Sequence, residues 1–268
     1  MTAAVRKSVR ANDIEHSWLE YGSAADPELI IIPGITSPAI TWNATSQRLA
    51  ETFHVLTLDV RGRGESSHPA TGYRLTDYSA DLAGIIEQLG LGAPAILGHS
   101  MGARIAAAFA HEYPGLRGPV LVVDPPLTGP GREPLPLPLG FYLDRIRAAR
   151  AARSVADMEG FYPGWAPELV QRQIEALASC SEAAITETYA GFHQEDFYQH
   201  WRHVAAPVLF VRGADSPIVT ADMMAEVQNT NPGAQMHTVP GAGHMVQWDN
   251  EDDFVATCTR FVCSQQRA

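Results

Sequence analysis

The sequence predicts an α/β protein with a mainly parallel central sheet flanked by helices. Two observations lead to this fold class. Short apolar runs recur along the chain, and such runs suit strands that are buried on both faces of a sheet. Segments with helical spacing of apolar residues lie between them, as in strand–helix–strand units. The runs cover residues 29–32, 54–58, 94–97, 119–123, 207–211 and 235–239.

The remaining elements follow in chain order. Residues 5–10 and 14–21 have strand composition and flank Asn12-Asp13, which is typical of a hairpin turn. Residues 41–51 predict a short helix, and Thr76 is the candidate N-cap of the next helix. Asn250 is the candidate cap of the last helix. Apolar positions at helical spacing support the second of these helices: Tyr78, Leu82, Ile85, Ile86 and Leu89.

The segment 125–203 departs from this alternation because it contains no convincing buried strand. It opens with the proline- and glycine-rich stretch PPLTGPGREPLPLPLG and continues with helical patterns at 141–153, 155–161, 167–178 and 182–190. A separate domain with its own core is the alternative, but core strands on both sides favour an insertion. We therefore expect a core of residues 1–124 and 204–268, with residues 125–203 forming a helical lid between two core strands.

Composition excludes several classes of partner. The chain has 268 residues, of which 46% are hydrophobic and 18% charged, as in ordinary globular proteins. A formal charge of −11 argues against a nucleic acid or an anionic membrane, and remains compatible with a small anionic substrate. No apolar run is long enough to span a membrane, and the N-terminal residues do not resemble a signal peptide. We expect a cytoplasmic protein with three reduced cysteines; a monomer and a homo-oligomer stay equally open.

The most informative stretch is Gly98-His99-Ser100-Met101-Gly102, which lies between a predicted strand and a helix of small residues. This is the G-x-S-x-G pattern in the strand–turn–helix context of a nucleophile elbow. Glycine is needed on both sides because side chains there would collide with neighbouring backbone. The alternative is an ordinary strand–helix turn that happens to contain a serine.

A serine nucleophile needs a base and an acid. Among ten histidines, only His244 stands in a loop directly after the last predicted core strand, in PGAGHMVQWDN. Two aspartates could orient it: Asp124 after the strand VLVV, and Asp215 after the strand VLFV. Either one satisfies the order serine, acid, histidine.

Further residues complete the predicted site. The backbone N–H groups of Met101 and Ile35 are the candidate oxyanion-hole donors. Asp59 and Arg61 are interpreted as holding a loop. The chain has no HExxH, no paired CxxC and no G-x-G-x-x-G after the first core strand, so we expect no metal and no cofactor.

The ordered stretches LIIIPGI, LDVRGRGESS, GHSMG, VRGADSPIV and GAGH resemble the α/β-hydrolase superfamily across essentially the whole chain. The resemblance implies the α/β-hydrolase fold. Many members carry the acid in Gly-x-x-Asp after the penultimate core strand. Here Gly213 places Ser216 at that position and Asp215 one residue early, which favours Asp124. Dehalogenases and epoxide hydrolases of the superfamily carry aspartate at the elbow, so Ser100 argues against both.

A finer resemblance concerns the substrate. The stretches PGITSPAITW, LDVRGRGESS, VVDPPLTGPGR, GFHQEDF and PGAGHMVQWDN together resemble the N-formylmaleamate deformylases of nicotinate breakdown. The resemblance implies hydrolysis of an N-formyl amide to formate and maleamate, with the acid taken from the VDPP stretch. A substrate carboxylate suits a guanidinium, so Arg132 is the first candidate ligand, and Arg104 and Arg153 are weaker ones. Thr36 and Ser37 could donate further hydrogen bonds.

Other functions stay open at this point. One is hydrolysis of another small carboxylate-bearing ring-cleavage product or an enol-lactone, and another is a small-ester carboxylesterase. A ligand receptor that keeps the triad belongs to a different class. Turnover separates it from an enzyme, because enzymes typically reach a kcat of roughly 1–1,000 per second.

Overall fold

The computed structural model describes residues 4–265. Its strands are β1 (Val5–Ala11), β2 (Ile14–Tyr21), β3 (Glu28–Ile32), β4 (His54–Asp59), β5 (Ala95–His99), β6 (Val120–Val123), β7 (Val208–Gly213) and β8 (Gln235–Val239). They form one eight-stranded sheet in the order β1-β2-β4-β3-β5-β6-β7-β8. β2 is antiparallel to β1 and to β4, and all other neighbours are parallel. The predicted fold class is confirmed.

Ten α-helices are found in the described part of the chain. They are α1 (Asn43–Leu49), α2 (Leu75–Leu89), α3 (Met101–Glu112), α4 (Leu139–Ala151), α5 (Pro167–Ala178), α6 (Glu182–Gln194), α7 (Phe197–Trp201), α8 (Met224–Thr230), α9 (Val246–Asp249) and α10 (Glu251–Gln265). Short 3₁₀ helices occur at Ala39–Trp42, Pro114–Leu116, Val155–Phe161 and Ala221–Met223. Within residues 4–265, none of these helices combines the length and apolar character that a membrane span requires.

Most predicted elements lie where expected, with differences at their ends. The hairpin turn is formed by Asn12 and Asp13, with φ angles of 51° and 59°. Asn250 caps the last helix by accepting a hydrogen bond from the N–H of Asp253 at 3.2 Å. The proposed cap Thr76 was wrong, because α2 already begins at Leu75. The Asp77 carboxylate accepts the N–H of Arg74 there at 2.9 Å and takes over the capping role.

The sheet is covered on both faces, as its continuous apolar strands require. Successive residues of β3 point to opposite sides. Ile30 and Ile32 pack in the cluster that includes residues of α2 and α3, while Leu29 and Ile31 pack in the cluster that includes α10. All four are fully or almost fully buried. The parallel strands therefore end together inside the molecule, and their carboxyl ends meet at one edge of the sheet.

Residues 125–203, here called the insertion, contain helices and loops and no strand. Arg104 on α3 fastens both ends of the insertion to the core. Its buried guanidinium donates to the carbonyls of Pro126 and Thr128 at 2.8 and 3.0 Å, and to the carbonyl of Glu195. Farther along, the Glu187 carboxylate on α6 accepts the N–H of Tyr73 at 2.9 Å. These contacts hold the insertion against α3 and against the loop before α2.

Candidate active site

Ser100 occupies the sharp turn between β5 and α3. Its φ and ψ angles are 56° and −116°, a region that residues with a side chain rarely adopt. The Ser100 N–H donates to the carbonyl of Val123 on β6 at 2.9 Å, which holds the turn in place. The strained conformation lifts the side chain out of the strand and leaves it at the start of α3.

The glycines on either side are required by direct contacts. A Cβ atom at Gly98 would lie 2.0 Å from the carbonyl oxygen of Gly102. A Cβ atom at Gly102 would lie 1.9 Å from the carbonyl oxygen of Ile32 on β3. Both distances are far inside van der Waals contact with backbone that cannot move aside. The elbow therefore packs against its own helix and the neighbouring strand with no room for a methyl group.

Three side chains form a hydrogen-bonded series at the carboxyl edge of the sheet. The Nε2 atom of His244 lies 3.0 Å from the Ser100 hydroxyl oxygen. Its Nδ1 atom lies 2.7 Å from Oδ2 of Asp124, whose side chain is completely buried. With Nδ1–H donating to the carboxylate, Nε2 is left as an acceptor toward the serine hydroxyl. This arrangement can remove the proton of Ser100 and stabilise the imidazolium that results.

Asp215, the alternative acid, is exposed and its side chain makes no hydrogen bond within residues 4–265. The neighbouring Ser216 takes a different part. Its hydroxyl donates to Oδ2 of Asp124 at 2.5 Å and accepts the N–H of Ile218 at 3.1 Å. The N–H of Gly213 also donates to Oδ1 of Asp124 at 3.3 Å. Residue 216 is the position at which many relatives carry the acid. Here its serine instead supports Asp124, the acid that follows the preceding strand β6.

Replacing Ser216 with Ala tests this support. Hydrogen bonds to charged groups contribute about 1.5–3 kcal/mol, so losing this one is expected to lower kcat by at least about 10-fold. The comparison is steady-state hydrolysis by the Ser216→Ala protein and by Ser8→Ala, which removes an exposed hydroxyl on β1. Equal rates for the two variants would contradict a supporting role for Ser216.

His99, the last residue of β5, holds the other side of His244. Its Nε2 atom lies 2.8 Å from the carbonyl oxygen of His244, and the two rings lie 4.9 Å apart between centroids. Burial, together with the nearby His244, lowers the pKa of His99 to about 3. His99 is therefore neutral near pH 7 and donates Nε2–H to that carbonyl. The sequence did not single it out, although it lies on a buried strand directly before the nucleophile.

The two predicted oxyanion donors belong to residues near the nucleophile. Met101 begins α3 directly after Ser100, and Ile35 follows Gly34 in the loop after β3. Gly34 lies beside Ser100, since a Cβ atom there would be 3.5 Å from that of the serine. Within residues 4–265, the amides of Ile35 and Met101 donate to no other residue. They are thus available to a substrate oxygen.

No group of side chains in residues 4–265 has the arrangement of a metal site. The hydrogen-bonded series of Ser100, His244 and Asp124 can perform nucleophilic attack by a serine hydroxyl, assisted by an imidazole and two amide donors.

Comparison with known proteins agrees with this geometry. The profile of the alpha/beta hydrolase family matches residues 29–257, most of the chain. The chain belongs to the alpha/beta hydrolase family. The match spans β3, which precedes the Ile35 loop, the Ser100 elbow and the loop that carries His244.

Individual members of the family are similar to this chain over nearly its whole length. This hydrolase is 40% identical to the N-formylmaleamate deformylase of Pseudomonas putida, over 95% of both chains. It is 30% identical to the 2-(acetamidomethylene)succinate hydrolase of Mesorhizobium japonicum, over 91% of this chain and 90% of the relative. Among solved structures, a serine-to-alanine variant of an N-formylmaleamic acid deformylase from Pseudomonas putida superimposes with a TM-score of 0.89 at 32% identity. That superposition covers 95% of this chain and all of the other. The resemblance expected from the sequence is confirmed.

The predicted carboxylate ligand Arg132 is occupied within the hydrolase. Its guanidinium contacts Glu226 at 2.8 Å and Asp196 at 3.3 Å, and it stacks over the ring of Tyr198 at 4.0 Å. Two carboxylates already compensate this charge, so the geometry does not support Arg132 as a ligand for a third. Proline and glycine composition at the start of the insertion gave no indication of these acidic partners.

The other predicted arginines also have structural surroundings. Arg104 is buried and fastens the insertion through backbone carbonyls, and Arg153 is exposed at the end of α4. Thr36 and Ser37 are half-buried in the loop beside Ser100, and their role stays a prediction.

Asp59 and Arg61 lie outside the hydrogen-bonded series. Asp59 accepts the N–H of Ala39 at 2.7 Å, and Arg61 forms an ion pair with Asp81. Their contacts match the interpretation that they hold a loop.

A groove of about 450 Å³ opens between the insertion and the core. The Trp165 ring of the insertion meets the Trp248 ring of the core edge-to-face, with centroids 6.2 Å apart. Ile40 and Leu169 also line the groove, and all four side chains are exposed. Ile40 follows the loop of Ile35, and Trp248 follows His244 by four residues. The core side of the groove is therefore formed by segments that follow the Ile35 and His244 loops along the chain.

Proposed function

We propose that this chain hydrolyses the N-formyl amide of N-formylmaleamate, releasing formate and maleamate. The observation that carries the proposal is the hydrogen-bonded series Ser100–His244–Asp124 beside two unused amide donors. The 40% identity to a deformylase over 95% of both chains supports the choice of substrate.

Acylation begins with attack of the Ser100 hydroxyl oxygen on the formyl carbon, while Nε2 of His244 accepts the hydroxyl proton. The carbonyl oxygen becomes negative in the tetrahedral intermediate and receives hydrogen bonds from the Ile35 and Met101 amides. The buried Asp124 carboxylate stabilises the imidazolium at Nδ1. His244 then returns the proton to the leaving nitrogen, and maleamate departs from a formyl-serine.

Deacylation uses the same groups, with water as the nucleophile and Ser100 as the leaving group. Water takes the place of maleamate, His244 accepts its proton, and the hydroxide attacks the formyl-serine carbon. The second tetrahedral intermediate uses the same amide donors, and collapse returns the proton to Ser100 and releases formate. Because the formyl group is very small, selectivity has to come from contacts with the maleamate side. Thr36 and Ser37 are the proposed hydrogen-bond donors there, since their loop lies beside Ser100.

The insertion acts in this proposal as a lid. It lines one side of the groove through Trp165, and Arg104 anchors both of its ends to the core by hydrogen bonds. The core is then residues 1–124 and 204–268.

A second candidate is hydrolysis of an N-acetyl amide on a small unsaturated dicarboxylate. The 30% identity to a 2-(acetamidomethylene)succinate hydrolase favours it, because that substrate also carries an acylated nitrogen beside carboxylates. The two candidates share the acyl-serine chemistry and differ in the size of the acyl group.

Formate release from N-formylmaleamate tests the proposal, with the Ser100→Ala protein as control. We expect rapid release of one formate per substrate and its loss in the variant, because no other nucleophile lies at the turn. Acetate release from 2-(acetamidomethylene)succinate is measured in parallel. Faster acetate release, or cleavage of p-nitrophenyl acetate without either amide, would move the substrate to another small acylated compound or ester.

A further inference from the structure

Arg63 is a completely buried arginine with no carboxylate partner in residues 4–265. Its five N–H donors are all used on neutral acceptors. These acceptors are the carbonyls of Ile35 and Arg61 at 3.0 Å each, the hydroxyl of Tyr78 at 2.5 Å, the hydroxyl of Thr188 at 3.2 Å and the sulfur of Met101 at 3.5 Å. Arg61, two residues earlier, instead pairs with Asp81. Of the two arginines in this loop, Arg61 is therefore paired with a carboxylate, whereas Arg63 is surrounded by neutral acceptors.

The Arg63 guanidinium contacts both residues whose amides are the proposed oxyanion donors. Its Nε–H donates to the carbonyl of Ile35, and Nη2 lies against the side chain of Met101. A hydrogen bond to the Ile35 carbonyl restricts the backbone torsion of that residue. It thereby fixes the direction of the loop that presents the Ile35 N–H. Contact with Met101 holds the first residue of α3 from the same side.

The other end of the guanidinium reaches the insertion. Thr188 lies on α6, and its hydroxyl contacts both Arg63 and the hydroxyl of Tyr78, which lies 2.7 Å away. Tyr78 lies on α2 and accepts Nη1–H of Arg63. One rigid planar group therefore joins the insertion, a core helix and the oxyanion loop.

A buried cation without an acidic partner is unfavourable for folding, since the loss of hydration is not offset by an opposite charge. Such a charge gains an attractive partner when negative charge develops nearby, and the effect is large where water is excluded. The tetrahedral oxygen at the Ile35 and Met101 amides is such a partner. The negative charge on this oxygen develops in the transition state and is absent from the bound substrate.

We infer that Arg63 is the positioning residue of the oxyanion hole: it orients the Ile35 loop, and its unpaired charge favours the tetrahedral oxygen. This inference rests on the proposed acyl-serine chemistry and is independent of which acyl compound is the substrate. Because the role belongs to the transition state, removing Arg63 is expected to lower kcat and leave KM nearly unchanged.

The test uses p-nitrophenyl acetate, so that it does not depend on the amide substrate, and inhibition by phenylboronic acid, which mimics the tetrahedral state. Arg63→Met is expected to lower kcat about 30-fold or more with KM within about threefold, and to raise the boronate Ki in parallel. Arg63→Lys keeps the charge and is expected to recover part of the loss. Thr188→Val removes the hydrogen bonds of the Thr188 hydroxyl to Arg63 and Tyr78 and leaves the Arg63 contacts with Ile35 and Met101. It is expected to lower kcat by about threefold.

Arg61→Lys is the matched control, since it changes a buried arginine of the same loop that contacts neither Ile35 nor Met101. It is expected to lower stability and to keep kcat within about twofold.

A folded Arg63→Met protein with wild-type kcat, or a loss confined to KM, would overturn the inference. Should Arg63→Met not fold, Arg63→Lys decides: a kcat and boronate Ki equal to those of Arg61→Lys would overturn it. A wild-type protein that neither cleaves the ester nor reacts with a fluorophosphonate would remove the proposed function, and this inference with it. Ester cleavage without formate release removes the proposed substrate alone.

Discussion

Replacing Asp124 with Asn is expected to lower kcat about 10,000-fold with little change in fold, as loss of the correct histidine tautomer does in serine triads. The backbone N–H of Gly213 is fixed and donates to Oδ1 of Asp124, so the Asn oxygen is expected at that place. The Asn NH₂ group then takes the place of Oδ2, which contacts both His244 and Ser216. An NH₂ group facing His244 reverses the tautomer and places the proton on Nε2. A histidine in that form cannot accept the proton of Ser100. Formate or p-nitrophenol release measures the effect.

Asp215→Asn is the matched control for this prediction. It removes a carboxylate that is exposed and lies in the same loop as Ser216, and we expect a kcat close to wild type. The opposite pattern, with activity lost in Asp215→Asn and retained in Asp124→Asn, would assign the acid to Asp215.

Replacing Gly102 with Ala is expected to have the largest effect on stability. The new methyl group would lie 1.9 Å from the carbonyl oxygen of Ile32, so β3 and α3 have to separate at the centre of the core. We expect a loss of about 4 kcal/mol or more in the free energy of unfolding, or failure to fold, because substitutions that overpack a buried backbone contact fall in the upper range of single-mutation effects. Urea unfolding followed by circular dichroism gives the value.

Gly92→Ala serves as the comparison, because a Cβ atom at Gly92 meets no heavy atom within 4 Å. This variant is expected to unfold within about 1 kcal/mol of wild type. A Gly102→Ala protein as stable as Gly92→Ala would mean that the elbow is looser than its contacts indicate.

Local sequence pattern was sufficient for most of the fold and for the centre of the site. Buried parallel strands produce continuous apolar runs, and the elbow has a glycine spacing that few other turns require. His244 could be identified because it follows the last strand. The preference for Asp124 came from a one-residue mismatch after Gly213, and the structure places Asp124 rather than Asp215 against the histidine.

Features that depend on contacts between distant segments could not be predicted from pattern. An arginine such as Arg132 is chemically suited to bind an anion. Its acidic partners Asp196 and Glu226 lie far away in the chain, so local pattern did not reveal that its charge is already paired. The short helix α7 has too few residues to show a period, and Thr76 was a plausible cap in sequence terms although Asp77 performs that role. Arg63 lies in a glycine-rich stretch that gives no sign of its burial.

The contact between Asp124 and Ser216 also limits which side chains are compatible with position 216. The Ser216 hydroxyl, which follows β7, and Nδ1 of His244 both contact Oδ2 of Asp124, which follows β6. A chain that carried carboxylates at both positions would place two negative charges on one imidazole, and one of them would have to take up a proton. A hydroxyl at position 216 avoids that repulsion, because it donates to the acid and does not compete with it.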